Sequence, residues 1–298
     1  MAINILFFLA MPAFGVNPIN PSGLGLIRMG GNYGPFTLGG EYWRLVTAGF
    51  LHGGFLHIAL NMWCLWSLGR MAERLFGKWQ TLCIYLITGV GGALLSIAHE
   101  PNHLEVGASG AIFGIAGALI AGLRFGDFNI SWREQRGTLS SVVFFTVFSF
   151  IWGMSSANTD NMCHLGGFIS GLLLGLPLGA FAQRHKLLQL ATVLATTAVL
   201  FAAGRELVQT HGAEGEIARA VFAWRQKDYP QVIQLLEKYT AANPGDDRTL
   251  VMLGEAYEAN NQRNKALAAY QQALKVNPGS VEAKQALDDL QSSNTPEK

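Results

Sequence analysis

Residues 107–123 read GASGAIFGIAGALIAGL, with no charged side chain, one hydroxyl at Ser109 and small residues throughout. Glycines spaced as in Gly110-xxx-Gly114 are the pattern by which helices approach closely in lipid, where packing rather than escape from water drives association. Crossing ~30 Å of hydrocarbon takes about 20 mostly apolar helical residues, because every backbone polar group must be paired inside its own segment. Ser109–Leu123 is short for this and must draw on flanking residues. Five further windows meet or approach the length: Phe55–Leu75, Trp79–Ala98, Leu139–Met154, Met162–Ala182 and Leu187–Gly204. A seventh stretch, Ile3 to Val16, contains Pro12 and lacks the positive n-region of a targeting signal. It reads as a first transmembrane helix that is short or has lost its start to a late-assigned initiation codon.

Composition divides at the end of these windows. Residues 1–204 hold 10 basic and 7 acidic side chains and 30 of the 35 glycines, whereas residues 205–298 hold 11 basic, 13 acidic and 5 glycines. A soluble domain of the first part's size would need roughly a quarter of its residues charged, so that part belongs in a bilayer and the tail in water. Over the whole chain Lys+Arg 21 against Asp+Glu 20 gives no reason to expect a polyanionic partner, and nucleic acid is not expected as a ligand. Cys64, Cys83 and Cys163 all lie in the apolar part and read as small buried hydrophobes rather than a disulfide framework or zinc site.

Lys and Arg in the short connections set orientation. One set of alternate connections carries Arg70, Arg74, Lys78, Arg124, Arg133, Arg136, Arg184 and Lys186; the other carries only Arg28 and Arg44. The first set is therefore expected in the cytoplasm, the connection 17–54 outside, and, if Leu187–Gly204 crosses fully, the tail outside as well.

Polar side chains inside lipid are costly and ask for a reason. Ser109 opens its helix, where unpaired backbone N–H groups and the positive dipole end favour an oxyanion. A serine hydroxyl is a weak nucleophile unless a base takes its proton, and His164, at the start of another helix running the same way, is suited to that. His57 and Asn61 are four residues apart and share a helix face, which lets an imidazole N–H and an amide point at one developing charge. Each residue also has a bland reading: a serine among glycines packs helices, and a lone membrane histidine is often a hydrogen-bonded structural group.

Together these residues resemble the rhomboid intramembrane serine proteases over roughly residues 1–182. The resemblance rests on Trp43-Arg44, HGGFLHIALN with His52, His57 and Asn61, GASGAIFG around Ser109, and HLGGFISG from His164. It implies a six-helix core with Ser109 as nucleophile and His164 as base, and an oxyanion site from His57, Asn61 and the Ser109 backbone N–H. Gly107 and Gly110 would flank the nucleophile, Phe113 would stack on the catalytic histidine, and Gly167 and Gly171 would let the Ser and His helices touch. The family uses a dyad, so Asp160 is expected to cap a helix or sit in a loop, with Asn161 an equal candidate for the cap. His99 and His103 give only a weak case for a metal, and neither metal nor cofactor is expected.

Leu187–Gly204 reads as an added seventh helix. In the tail, NPGD at 243–246 recurs as NPGS at 277–280, a period of 34. Leu250, Leu253-Gly254, Tyr257, Ala266, Tyr270, Ala273 and Pro278 fall on the spacing of a tetratricopeptide repeat (TPR). The unit before it, roughly 213–246, fits less well, with Ala220 in place of glycine, and Ser280–Gln291 would form a capping helix. Such a module could bind a peptide or protein partner, or serve as a spacer or dimerisation unit.

The expected architecture is all-α: a polytopic membrane bundle at 1–182, the seventh helix and its connection at 183–204, and a TPR-like α-solenoid at 205–298. The expected function is an intramembrane serine endopeptidase cleaving transmembrane protein substrates near the outer face of a bacterial cell or inner membrane. The alternative is a catalytically inactive membrane scaffold that binds clients through its repeats.

Overall fold

The computed structural model of this chain describes residues 1–126, 128, 130–154, 159–180 and 186–292. Arg184 and the expected boundary at 182/183 lie outside the described residues. The helices, in chain order, are α1 Ala2–Ala10, α2 Gly23–Arg28, α3 Gly34–Leu38, α4 Arg44–Thr47, α5 Phe55–Phe76, α6 Lys78–His99 and α7 Ser109–Phe125. There follow α8 Trp132–Met154, α9 Asn161–Ala180, α10 Lys186–Arg225, α11 Tyr229–Ala242, α12 Asp247–Ala259, α13 Arg263–Val276 and α14 Val281–Ser292. Among the described residues the β structure is one two-residue antiparallel ladder, β1 Asn32–Tyr33 with β2 Leu104–Glu105. The class is all-α, as the hydropathy pattern predicts.

Among the described residues four helices are long and apolar enough to cross a membrane: α6, α8, α9 and the first part of α10, Lys186–Thr210. A bent pair, Arg44–Phe50 with Phe55–Phe76, makes a fifth if its 94° break is counted within one span. The shorter apolar helices Ala2–Phe14 and Ser109–Phe125 fill the remaining predicted windows. Large apolar side chains face outward from these helices, among them Trp63, Phe144, Trp152 and Trp79, the last 78% exposed. Water would penalise such a surface; hydrocarbon does not.

At 17 residues α7 is about 26 Å long, less than the hydrocarbon thickness. It is nevertheless enclosed along most of its length, with Ile115, Ala116, Ala118 and Leu119 fully buried. Its partner α9 lies against it in parallel. A Cβ on Gly167 would overlap the Gly110 carbonyl oxygen, one on Gly171 that of Gly114, and one on Gly175 that of Ala118, while Gly179 faces Gly122. The offset is a constant 57 residues, so the helices run side by side in one direction with their N-termini at the same level. On the other side of α9, Gly91 and Gly92 of α6 meet Gly166, Ser170 and Cys163. The short α1 is pinned by Asn4, whose Nδ2 donates to the Tyr85 hydroxyl at 3.1 Å and the Gly49 carbonyl at 3.3 Å.

The chain forms two compact units, Met1–Gln209 and Thr210–Lys298. In the first, α10 packs on α6, with Gln80 Nε2 donating to Gln189 Oε1 at 3.2 Å and Leu200 and Leu207 beside Leu94. The change from apolar to polar sequence at 204/205 does not interrupt the helix, which continues to Arg225.

In the second unit the 34-residue period is visible in the backbone. Among the described residues Lys227 and Asn261, 34 apart, are the two non-glycine residues with positive φ, at 59° and 58°. Around them the turn hydrogen bonds repeat in kind, Asp228 N–H to Ala223 O and Gln262 N–H to Tyr257 O. Gly254 is required by Tyr270, whose ring would overlap any Cβ there. The corresponding pair in the preceding unit is Ala220 with Leu236, both fully buried, so a smaller partner accompanies the added methyl. Asp228 and Asp246 cap α11 and α12 through the N–H groups of Gln231 and Thr249.

Candidate active site

Ser109 is the first residue of α7 and is half-buried. The chain reaches it through Gly107, whose φ of +129° is a conformation that side chains with a Cβ rarely adopt. The first N–H of this turn used within the helix is that of Ile112, which donates to Ala108 O at 2.9 Å. The amides before it, including that of Ser109, are those a helix start leaves to an external acceptor.

His164 lies in the first turn of α9 and is buried. Phe113, one turn into α7, stacks on its ring with centroids 4.3 Å apart and planes at 16°, while Phe150 of α8 meets it edge-on at 6.3 Å. Nδ1 is buried with no hydrogen-bond partner among the described residues, so proton exchange at this ring is left to Nε2. The parallel glycine ladder brings these two helix starts together, since Ser109 precedes Gly110 and His164 precedes Gly167 by three residues.

His57, near the start of α5, faces the same place. A Cβ on Gly107 would be 2.8 Å from His57 Nε2 and 3.8 Å from Ser109 Oγ, so the imidazole and the hydroxyl flank one point. The Gly53 N–H donates to His57 Nδ1 at 3.2 Å, which fixes the neutral ring as the tautomer with its proton on Nε2, a donor toward that point. His52, fully buried, sets its ring edge-on to His57 at 5.2 Å. Asn61 is buried and donates one amide N–H to the His57 carbonyl at 3.0 Å, leaving its second N–H for another acceptor.

A hydroxyl at a helix start, a base stacked beside it and side-chain donors around the approach glycine can support acyl transfer. Residues 39–181 match the Rhomboid domain and residues 223–290 match a tetratricopeptide repeat. Rhomboid protease AarA of Providencia stuartii is 30% identical over 195 residues, covering 58% of this chain and 69% of that protein.

The chain belongs to the rhomboid family.

Rhomboid protease GluP of Bacillus subtilis is 30% identical over 285 residues, 93% of this chain and 54% of that protein. RHOMBOID-like protein 4 of Arabidopsis thaliana is 37% identical over 167 residues, 54% of this chain and 41% of that protein. The chain thus spans about half the length of these two curated relatives. With its apolar helices, this rhomboid is an integral multi-pass membrane protein carrying a C-terminal TPR region.

Trp43 and Arg44 stand elsewhere in the rhomboid. The buried Arg44 guanidinium donates from Nη1 to the carbonyls of Ile27 and Gly31 at 2.6 and 3.0 Å, and pairs with Glu41 at 2.7 Å. It also lies 4.7 Å from the ring centroids of Phe36 and Trp43. These contacts hold the connection 17–54 together.

A polar cluster that no sequence motif marks lies behind the candidate dyad. Asp160, rather than Asn161, caps α9: its Oδ1 accepts from the Cys163 N–H at 2.8 Å and its Oδ2 from Ser96 Oγ of α6. His103 Nε2 lies 3.9 Å from that same Oδ2. Cys163, expected as a small hydrophobe, is buried but also donates through Sγ to Glu105 Oε1 at 3.7 Å. Burial, then the Asp160 charge, pushes the Glu105 carboxyl up to about 8.

Proposed function

We propose that this rhomboid is an intramembrane serine endopeptidase that cleaves transmembrane protein substrates near the outer membrane face. The observation that carries the reading is that Ser109 Oγ and His57 Nε2 flank Gly107 at the start of α7, while His164, stacked on Phe113, lies in the first turn of the parallel helix α9 packed against it. Ser109 Oγ attacks the scissile carbonyl carbon as its proton passes to His164. The oxyanion is held by His57 Nε2–H, the second Asn61 N–H and the Ser109 amide. Collapse breaks the C–N bond, with the proton delivered from His164 to the leaving amine. Water then adds to the acyl ester, losing its proton to His164, and the serine is restored as the acid departs.

Residues 1–182 form the protease core in this reading, 183–204 an added membrane anchor, and 205–298 a module that presents partners or substrates outside the cytoplasm of a bacterial cell. The basic residues concentrated in one set of connections support that orientation. A chain entering a serine site must offer an extended carbonyl, so substrate helices that unwind readily are favoured over stable ones, whose carbonyls are held in i→i−4 bonds.

The test is labelling of membrane-embedded protein with a fluorophosphonate probe, comparing wild type with Ser109→Ala and His164→Ala. Labelling that depends on both residues is the expected result. A folded wild type that resists the probe while a known active rhomboid reacts would favour the scaffold function instead.

A further inference from the structure

Glu105 is the last residue of β2, four positions before Ser109, and is fully enclosed. Its Oε1 accepts from Cys163 Sγ, the residue just before His164, while its Oε2 is buried with no partner among the described residues. The backbone at Glu105 is paired with Asn32 across the β ladder. One side chain therefore spans from the loop that carries the candidate nucleophile to the helix that carries the candidate base. Glu105 and Cys163 also line, with Gly107, Gly110 and Tyr85, a small cavity beside the start of α7.

We propose that Glu105 is a positioning residue that locks the Ser109 loop to the His164 helix. The inference rests on the serine-protease reading above.

The neutral form of Glu105 follows from the surroundings. The titratable groups about this carboxyl are Asp160, the cap of α9, Cys163 on α9 and Tyr85 on α6, with His103 of the same connection beside Asp160. Asp160 bears a charge of the same sign, and Asn32 and Cys163, which favour ionisation, are outweighed by burial and that charge. A buried carboxylate there faces both a desolvation cost and repulsion from the capping Asp160, and either is relieved by admitting water or by moving β2 away from α9. Ionisation is thus expected to loosen the spacing between Ser109 and His164 without touching either. Glutamine at 105 keeps the shape and the carbonyl acceptor for Cys163 and removes the ionisation.

The test is the rate of fluorophosphonate labelling of the full-length protein in detergent from pH 5 to 9.5, for wild type, Glu105→Gln and Glu105→Ala, with Ser109→Ala as blank. Wild type should rise to a plateau near neutral pH and fall about tenfold by pH 9, as a carboxyl of pKa about 8 ionises. Glu105→Gln should stay within about twofold of the wild-type plateau and hold it through pH 9. Glu105→Ala should label about tenfold more slowly at every pH. Superimposable pH profiles for wild type and Glu105→Gln would overturn the proposal, as would a wild-type rate in Glu105→Ala. If Glu105→Ala does not fold, the comparison of wild type with glutamine still decides. Wild type that never labels above the Ser109→Ala blank defeats the protease reading itself, whereas Ser109-dependent labelling indifferent to Glu105 defeats only this inference.

Discussion

Gly167 of α9 rests directly on the carbonyl of Gly110 in α7, with no space between them for a methyl group. Both residues adjoin the candidate dyad, so helix spacing here sets the distance from serine to histidine.

Gly167→Ala should therefore push the helices apart at that level. Overpacking of this kind costs about 1–3 kcal/mol, and labelling of Ser109 should fall with stability. Gly137→Ala is the matched control, because nothing lies within 4 Å of a Cβ at Gly137. Thermal unfolding in detergent, run beside probe labelling, checks both.

Gly107→Ala should separate catalysis from stability differently. The new Cβ meets backbone strain at φ +129° and sits 2.8 Å from His57 Nε2. Displacing that imidazole removes an oxyanion donor, so cleavage of a model transmembrane substrate should drop by about 10²-fold or more. Near-wild-type turnover would show that His57 does not serve the site.

His57→Ala and Asn61→Ala should each lower kcat by about 10²–10³-fold with KM little changed, since their donors act on charge that develops only during reaction. Asn61 is bonded to the His57 carbonyl through one N–H, so its loss also frees that turn of α5. The double variant should fall short of the product of the two single effects, a comparison that substrate kinetics provides directly.

Stability should depend on pH through Glu105. Its folded-state value, about 8, exceeds the ordinary 4.5, so between these values the folded protein holds a proton that the unfolded chain has released. Stability from this group is then lost as pH rises through that window, by up to about 1.4 kcal/mol per unit. Denaturation midpoints at pH 5 and 8 should differ more for wild type than for Glu105→Gln.

In the repeat unit, Lys227→Gly should stabilise. Lys227 holds φ 59°, a left-handed conformation that costs an L residue about 1–2 kcal/mol and glycine nothing. Gly254→Ala should do the reverse, driving a methyl into the Tyr270 ring. Hydrogen exchange of α11 to α13 in the full-length protein reads both changes.

Much of this could be read from residue order. Ser109 and His164 open their helices, and His57 and Asn61 share a face, because such statements need only a helical period and a count of glycines. The Glu105–Cys163 link could not be read that way. It depends on a two-residue ladder too short to leave an alternating pattern, and on α9 beginning next to a loop some 55 residues earlier in the chain. Arg44 belongs to the Trp43-Arg44 motif, but two of its partners are the backbone carbonyls of Ile27 and Gly31, which carry no sequence signal. The change of composition at 204/205 is not a helix end, since α10 runs on to Arg225. The change at that point is in which solvent the side chains suit, and RELVQT contains neither the glycine nor the proline that would end a helix.

The glycine ladder between α7 and α9 also has a translational symmetry. Small residues recur every fourth position on both helices, at 110, 114, 118 and 122 against 167, 171, 175 and 179. A slide of one turn, about 6 Å, would bring small residues opposite small residues again. The ladder fixes how near the helices come and which faces meet, but it is nearly indifferent to their longitudinal phase. That phase is chosen by the groups at one end: the Phe113 ring on His164, Cys163 on Glu105, and Asp160 on Ser96. The interface thus works like a notched rule with a stop at one end, and the stop is built beside Ser109 and His164, where an error of one notch would separate them.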